Sequence, residues 1–163
     1  AVRAAAHPHH FLGVTKQGLA AVVGTKGNRD CHVILRGGTP GPNYHAEVVA
    51  GVAEALQKAG LEPRAMIDAS HGNSGKDHRR QPDVVRDVAR QVAGGSGGIF
   101  GVMLESFLVD GRQDLKPGAK PVHGQSITDA CLGWKDTVPL IDLLAEASRE
   151  RRHHGRRRTT KRA

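Results

Sequence analysis

The chain has 163 residues, enough for one domain with a hydrophobic core. No apolar run approaches the roughly 20 residues of a membrane helix, so we expect no membrane partner. Two cysteines, Cys31 and Cys131, are too few for a disulfide framework and favour a reducing, cytoplasmic location. The formal charge is +8, but residues 149–163 alone carry eight Lys or Arg and one Glu, which leaves the preceding part nearly neutral.

The N-terminal region predicts a β-hairpin. Two short apolar runs, residues 9–15 and 19–25, are joined by Lys16, Gln17 and Gly18, and a three-residue connection that contains glycine suits a tight turn. The chain begins at Ala1 and its first methionine is Met66, so we expect a fragment of a longer protein.

Three mainly apolar runs follow, and each ends at a polar residue that opens a loop. These end residues are Arg36, His71 and Glu105, which are 35 and 34 residues apart. That spacing fits one strand, one helix and two loops, and buried parallel strands read as apolar runs of this kind. The pattern predicts three successive βα units that present the three side chains on one rim. The runs are residues 31–35, 66–70 and 99–104.

Helices are predicted between and after these strands. The first extends from about Tyr44 to Ala59 with Asn43 as its N-cap, and we expect an apolar face there. The second begins near Pro82 and ends at Gly94. After a long polar loop, Asp136 or Thr137 caps the last helix. The expected inward residues are Val48, Val52, Ala55 and Ala59 in the first helix, Val84, Val88 and Val92 in the second, and Leu140, Ile141 and Leu144 in the last.

The basic C-terminal segment is predicted to be a disordered tail. Residues 149–163 contain no aromatic residue and almost no apolar one, so they cannot pack a core or stack on bases. Binding of nucleic acid through phosphate contacts with this tail is an alternative function, although we do not favour a nucleic-acid partner. The expected organisation is therefore a folded region over residues 1–148 and a tail over residues 149–163.

The residues on the rim predict a metal site. Histidine, glutamate and aspartate together are ligands for Mn²⁺, Fe²⁺, Co²⁺ or Zn²⁺. His71 and Glu105 lie one βα unit apart, and Asp129 follows in the loop after the strand of Glu105. Arg36, on the neighbouring strand end, suits a phosphate or carboxylate held beside the metal. Taken singly, the histidine could be a structural hydrogen-bonding group, and Asp129 could be a helix cap or a turn residue.

Several segments, in order along the chain, resemble one enzyme family. The most distinctive are Cys-His-Val-Ile-Leu-Arg-Gly-Gly at residues 31–38 and Ile-Asp-Ala-Ser-His-Gly-Asn at residues 67–73. From about His9 to Arg149 the chain is similar to the C-terminal half of type I 3-deoxy-7-phosphoheptulonate (DAHP) synthase. The other matching segments are residues 11–16, 42–44, 101–106 and 124–134.

The resemblance implies both a fold and an activity. The fold would be the later half of a (β/α)8 TIM-type barrel with an extra β-hairpin, incomplete in this chain. The activity would be the condensation of phosphoenolpyruvate with erythrose 4-phosphate and water in the shikimate pathway, by a cytoplasmic enzyme that is a homo-oligomer at full length. His71, Glu105 and Asp129 would be three of four ligands to a divalent metal, and Arg36 would bind the phosphate of phosphoenolpyruvate. No general base can be assigned.

Other family features do not occur in the sequence. The fourth metal ligand, a cysteine in a Gly-Pro-Cys segment, and a Lys-Pro-Arg-Thr segment are both missing. A barrel of this type needs about 250 residues, so we expect the isolated chain to be inactive and to self-associate through uncovered apolar faces. Two rival hypotheses are a complete α/β domain that binds an anion without catalysis, and a nucleic-acid-binding module that acts through its tail.

Overall fold

The computed structural model describes the backbone of residues 1–160 and the side chains of residues 1–153. The structure is mixed α and β, as the sequence predicts. It divides into two compact units, residues 1–33 and the region from residue 34 onward. The helices are α1 (Val2–Ala6), α2 (Ala46–Lys58), α3 (Gln81–Ala93) and α4 (Trp134–Thr160), with a 3-10 turn at His78–Arg80. The strands are β1 (His9–Val14), β2 (Ala20–Thr25), β3 (Val33–Leu35), β4 (Ala65–Asp68), β5 (Ile99–Met103), β6 (Ser106–Phe107), β7 (Val109–Arg112), β8 (Gln125–Ser126) and β9 (Leu132–Gly133).

The first unit is built around an antiparallel hairpin. Strands β1 and β2 pair from His9 with Thr25 to Val14 with Ala20. The turn between them closes through a hydrogen bond from the Thr15 amide to the Leu19 carbonyl, and Gly18 adopts the left-handed conformation, φ 81°, that this turn requires. The apolar side chains of the hairpin are largely exposed, and Leu12 is 85% accessible.

A three-stranded sheet in the order β3-β4-β5 organises the second unit. Strands β4 and β5 are parallel, and a register shift separates Ala65 from Met66. Helix α3 contributes a row of buried valines beside the strands, and its predicted inward residues Val84, Val88 and Val92 are all buried. Helix α3 also packs against α4. The core residues that the two helices and the sheet share include Ala65, Ile67, Val85, Ala89, Ile99, Leu140 and Ala147.

Helix α2 differs from its prediction in both its start and its buried face. It begins at Ala46 after His45, and its N-terminus has no side-chain cap. Asn43, the expected cap, instead accepts a hydrogen bond from the Gly37 amide, N to Oδ1 2.8 Å. Val49 is the buried residue, whereas Val48 and Ala55 are exposed. Alanine and valine occur on every side of this helix, so the apolar spacing of three and four residues fits more than one face.

Two short strand pairs support the long loop after β5. Strand β6 pairs with β9, and β7 pairs with β8, both in parallel. An isolated antiparallel bridge joins Gly111 to Cys131. These pairs contain too few residues to produce a visible alternation in the sequence, yet they determine where the segment around Asp129 lies.

The last helix starts earlier than the sequence predicts. Helix α4 begins at Trp134, and Thr137 lies inside it as a buried residue instead of capping it. The Thr137 hydroxyl donates to the Gly133 carbonyl, 3.0 Å, and lies 2.6 Å from the Ser106 hydroxyl. Leu140 is buried as expected, but Ile141 is 47% exposed, so its predicted inward position is wrong.

The basic segment also differs from expectation over the residues described. Helix α4 continues to Thr160, where we expected disorder from residue 149, and residues 161–163 lie outside the described residues. Arginine is a strong helix former. In addition, Arg151 donates hydrogen bonds to the carbonyls of Ile99 at 2.9 Å and Ser96 at 3.3 Å, which fixes the helix turn around it. The division at residue 148 remains a prediction. Within residues 1–160, none of the helices combines the length and apolar character needed to cross a bilayer.

Candidate metal centre

His71 lies in a tight turn just beyond the end of β4. Strand β4 ends at Asp68, and His71 adopts a left-handed backbone conformation with φ 47°. Non-glycine residues seldom adopt this region, and they remain there when surrounding contacts require it. Here the Lys76 amide donates to the His71 carbonyl at 2.7 Å, and Lys76 is left-handed as well, φ 62°. The turn therefore fixes the direction in which the imidazole leaves the strand end.

A buried carboxylate orients the imidazole. Asp68 Oδ2 lies 2.8 Å from His71 Nδ1, and Asp68 is only 2% exposed. The other oxygen, Oδ1, accepts hydrogen bonds from the amide and the hydroxyl of Ser70. Since an ionised carboxylate can only accept, Nδ1 carries a proton, and Nε2 is the ring nitrogen that faces Glu105. This carboxylate–histidine arrangement is the one that prepares histidine to bind a metal through Nε2.

Glu105 reaches the same place from the next strand. Its Oε1 lies 3.7 Å from His71 Nε2. Its backbone is bound by Gln81, the first residue of α3, whose side chain accepts from the Glu105 amide at 2.9 Å and donates to the Glu105 carbonyl at 3.2 Å. Gln81 is 0% exposed. Gln81 could not be identified from the sequence, because a glutamine at a helix start gives no distinctive pattern.

Asp129 completes a cluster of three possible ligands. One ligand atom each from His71, Glu105 and Asp129 lies within 4.8 Å of the others, and Asp129 is the exposed member. The following segment is tied to Glu105, because the Leu132 amide donates to the Glu105 carbonyl at 2.9 Å. The structure thus brings together the three residues that the sequence predicts as ligands.

The electrostatics of the cluster favour a cation. Burial raises the pKa of Glu105 above its ordinary value of 4.5, and the carboxylates of Asp129 and Asp68 raise it further. His71 and Arg36 oppose this increase. Carboxylates that approach each other in a partly buried site repel, and a bound cation relieves that repulsion.

Two glycines allow the ends of β3 and β4 to approach closely. A Cβ atom on Gly37 would lie 2.5 Å from the backbone carbon of Gly72, and one on Gly72 would lie 2.7 Å from that of Gly37. Both distances are shorter than real Cβ contacts allow, so any side chain at either position would separate the two strand ends.

Asn73 links the same strand ends through hydrogen bonds. Its side-chain amide donates to the carbonyls of Leu35 at 2.9 Å and Asp68 at 2.8 Å, and its oxygen accepts from the Asn43 amide at 2.8 Å. The Asn73 amide donates to the Arg36 carbonyl at 3.1 Å. Asn73 therefore sets the position of the Arg36 backbone relative to the turn that holds His71. Its role cannot be read from the sequence, because asparagine is ordinary in turns.

Arg36 faces the ligand cluster across a small cavity. The cavity has a volume of about 150 Å³, and its lining is Arg36, His71, Lys76, Glu105, Asp129 and Ala130. The four residues selected from the sequence therefore surround one space, although they come from three strand ends and one loop. A guanidinium beside a metal cluster is suited to an anionic group of a ligand.

Comparison with known proteins places the chain in a family. The sequence model described as the DAHP synthetase I family matches residues 1–141. The chain belongs to this family. The resemblance found in the sequence motifs is thereby confirmed.

Relatives in the DAHP synthetase I family extend the comparison. The tyrosine-inhibited phospho-2-dehydro-3-deoxyheptonate aldolase of Schizosaccharomyces pombe is 55% identical over 158 residues, which are 94% of this chain and 42% of that protein. The Phe-sensitive aldolase of Escherichia coli K12 is 55% identical over 152 residues, 93% of this chain and 43% of the relative. This chain therefore spans less than half the length of these relatives.

A solved structure also matches. The phospho-2-dehydro-3-deoxyheptonate aldolase from Francisella tularensis superposes with a TM-score of 0.83 at 48% sequence identity. The match covers 92% of this chain and 43% of that one. The arrangement of helices and strands described above is thus shared with part of a larger enzyme.

Proposed function

We propose that this chain supplies the later half of a (β/α)8 barrel to a DAHP synthase. The reaction condenses phosphoenolpyruvate with erythrose 4-phosphate and water to give 3-deoxy-D-arabino-heptulosonate 7-phosphate and phosphate. It is a cytoplasmic step that opens the shikimate pathway. The observation that carries the proposal is the convergence of His71, Glu105 and Asp129 within 4.8 Å, with Arg36 lining the same cavity.

The donor set fits a divalent metal. Nε2 of His71 and the carboxylates of Glu105 and Asp129 suit Mn²⁺, Fe²⁺, Co²⁺ or Zn²⁺, and their mutual distances of up to 4.8 Å need only small side-chain rotations to fit one ion. A bound ion of this kind supplies a Lewis acid for the aldehyde oxygen. The protein residues supply the geometry: Asp68 binds Nδ1 of His71 so that Nε2 is the nitrogen offered to the metal, and Gln81 holds the backbone of Glu105.

Arg36 has a separate role on the other substrate. Its guanidinium binds the phosphate of phosphoenolpyruvate and holds it beside the metal cluster, so that the enol carbon is positioned for attack on the aldehyde. The forked, permanently charged group also stabilises the phosphate as it departs. No residue of this chain is assigned as the base that activates water.

Activity requires the rest of a full-length protein, which we propose assembles as a homo-oligomer. The isolated chain is inactive because the pocket lacks the residues of the missing strands, and it self-associates because apolar side chains remain uncovered. Ile34 and Met103, on strands of the three-stranded sheet, are 41% and 38% exposed, and Val48 on α2 is 39% exposed. Exposed apolar surface of this extent is typical of contacts with other parts of a protein.

A chimera tests the proposal. This chain would replace the matching segment of the Escherichia coli relative, and phosphate release would be measured with both substrates and Mn²⁺. We expect metal-dependent turnover, its loss in His71→Ala, and its retention in the control His78→Ala, whose imidazole pairs with Asp110 and is not a member of the cluster. Turnover that persists in His71→Ala would refute the proposed role. A chimera that binds phosphate but never turns over would favour the non-catalytic anion-binding hypothesis.

A further inference from the structure

The backbone around Glu105 changes its strand partner. Strand β5, which ends at Met103, pairs with β4, whereas β6, which begins at Ser106, pairs with β9. Glu105 lies between β5 and β6 and belongs to neither strand. At such a break the regular ladder of backbone hydrogen bonds is interrupted, and backbone groups withdrawn from water need other partners. The direction of the Glu105 side chain therefore depends on the groups that bind its backbone at this point.

The side chain of Gln81 takes the place of a neighbouring strand here. Its Oε1 accepts from the Glu105 amide at 2.9 Å, and its Nε2 donates to the Glu105 carbonyl at 3.2 Å. A side-chain amide that offers one acceptor and one donor to the same residue imitates the edge of a strand. Because Gln81 is fully buried, water does not compete for these two hydrogen bonds. They hold the backbone from which the Glu105 carboxylate extends into the cluster.

The Glu105 carbonyl joins the three segments that carry the ligands. Besides the Gln81 side chain, it accepts from the Leu132 amide at 2.9 Å. Leu132 begins β9, directly after the loop that contains Asp129, and Gln81 begins α3, directly after the turns that follow His71. The carbonyl therefore receives one hydrogen bond from the segment after each of the other two ligands.

The connection from His71 to Gln81 consists of successive turns. The Lys76 amide donates to the His71 carbonyl at 2.7 Å. The Gln81 amide donates to the His78 carbonyl, where the 3-10 turn meets α3. Short-range hydrogen bonds of this kind leave little freedom between the turn that presents the imidazole and the start of the helix. A shift of the Gln81 side chain therefore moves the strand end that carries Glu105 relative to His71.

We propose that Gln81 is a positioning residue for the metal: by binding both backbone groups of Glu105, it sets the spacing of the three ligands His71, Glu105 and Asp129. It acts through the Glu105 backbone and is not itself a ligand. The inference rests on the proposed function for the presence of a metal. It goes further, because it makes the affinity and the ligand arrangement of the whole cluster depend on a buried glutamine outside it.

The experiment is a Co²⁺ titration of the full chain followed by visible absorption, because the absorption bands of this ion depend on the arrangement of its ligands. The variant Gln81→Met keeps the approximate length of the side chain and removes both hydrogen bonds to Glu105. The matched control is Gln91→Met. Gln91 lies on the same helix, donates to the Tyr44 carbonyl at 2.8 Å and is not a member of the cluster. Urea denaturation of each metal-free variant measures its stability separately.

We expect Gln81→Met to weaken Co²⁺ binding about 10–100-fold, the usual effect of removing a group that orients a metal ligand. It should also shift the absorption bands of the fully loaded chain. Gln91→Met should change the affinity less than about twofold and leave the bands in place, since its lost hydrogen bond does not reach the cluster. A general loss of stability reduces the fraction of chains that bind, but it does not move the bands of those that do. Unchanged affinity and bands in Gln81→Met, or equal effects in the two variants, would overturn the proposal.

A second measurement covers a Gln81→Met variant that folds poorly as an isolated chain. In the chimera described above, this variant should raise the Mn²⁺ concentration for half-maximal turnover about tenfold. KM for phosphoenolpyruvate at saturating Mn²⁺ should change less than about twofold, because Gln81 does not line the cavity that contains Arg36. An unchanged Mn²⁺ requirement would contradict the proposal.

Failure of the proposed function has a different signature from failure of this inference. If the chain holds no metal at the cluster, His71→Ala leaves Co²⁺ binding unchanged. If His71→Ala abolishes Co²⁺ binding while Gln81→Met alters neither the affinity nor the bands, the metal site stands and the positioning role of Gln81 is wrong.

Discussion

The buried carboxylate of Asp68 lies 2.8 Å from Nδ1 of His71, on the side of the ring away from Glu105. The two residues are three apart in the sequence and on opposite sides of a strand end. Asp68 is paired with the ring and with Ser70, so it is an orienting group and is not counted among the three ligands. A substitution of Asp68 is therefore the strongest test of whether this carboxylate orients His71 for metal binding.

Replacing Asp68 with asparagine should weaken metal binding. The amide cannot hold the Nδ1 proton as a carboxylate does, so the ring loses both its fixed tautomer and part of its basicity. We expect the affinity for Mn²⁺ or Co²⁺ to fall by about 10–100-fold, the usual effect of removing such a partner. Calorimetric titration of the chain measures this. Asp83→Asn, at an exposed pair on α3, is the control and should leave the affinity unchanged.

Two glycine substitutions should have opposite effects on stability. Gly72→Ala puts a Cβ 2.7 Å from the Gly37 backbone and must separate the strand ends, so we expect a loss of about 1–3 kcal/mol in the free energy of unfolding. Gly51→Ala lies within α2, where a Cβ meets nothing within 4 Å, so we expect a gain of up to about 1 kcal/mol. Urea denaturation compares the two. A neutral Gly72→Ala would show that the close approach of β3 and β4 is not required.

The raised pKa of Glu105 predicts a pH-dependent effect in the metal-free chain. Burial raises this pKa above 4.5, so ionising Glu105 costs the folded state free energy. The cost is absent below the ordinary pKa, where the group is protonated in both states, and complete above the raised pKa. Glu105→Gln should therefore stabilise the metal-free chain at neutral pH, and the gain should vanish as the pH falls below 4.5.

Urea denaturation in EDTA across this pH range provides the measurement. The exposed Glu47→Gln serves as the control, and we expect no comparable pH-dependent gain from it. A Glu105→Gln variant that is no more stable than the unaltered chain at any pH would show that ionised Glu105 does not destabilise the folded chain.

The main features of the site were predictable because they follow chain periodicity. Arg36, His71 and Glu105 each lie just beyond a strand of the three-stranded sheet, and parallel strands bring their carboxyl ends to one edge. The side chains that hold the site together were not predictable. Asn73 and Gln81 act through contacts 38 and 24 residues away, and such contacts leave no local pattern in the sequence.

The errors in the fold predicted from the sequence also arise from contacts between distant parts of the chain. Asn43 has the chemistry of a helix cap, but its side chain accepts from Gly37 instead, so a tertiary contact overrides the local preference. Thr137 was predicted at a helix boundary and is buried inside α4, bonded to Ser106 and Gly133. In the basic segment, composition suggests disorder, whereas the hydrogen bonds of Arg151 to the carbonyls of Ser96 and Ile99 favour continuation of the helix.

The most direct test of the account is a Co²⁺ titration of the chain followed by visible absorption, which reports the ligands of the ion. We predict one saturable site per chain, lost or weakened at least 100-fold in His71→Ala, Glu105→Ala and Asp129→Ala, and unchanged in His78→Ala. Binding that is the same in the unaltered chain and in all three cluster variants would contradict the claim that His71, Glu105 and Asp129 hold one metal ion.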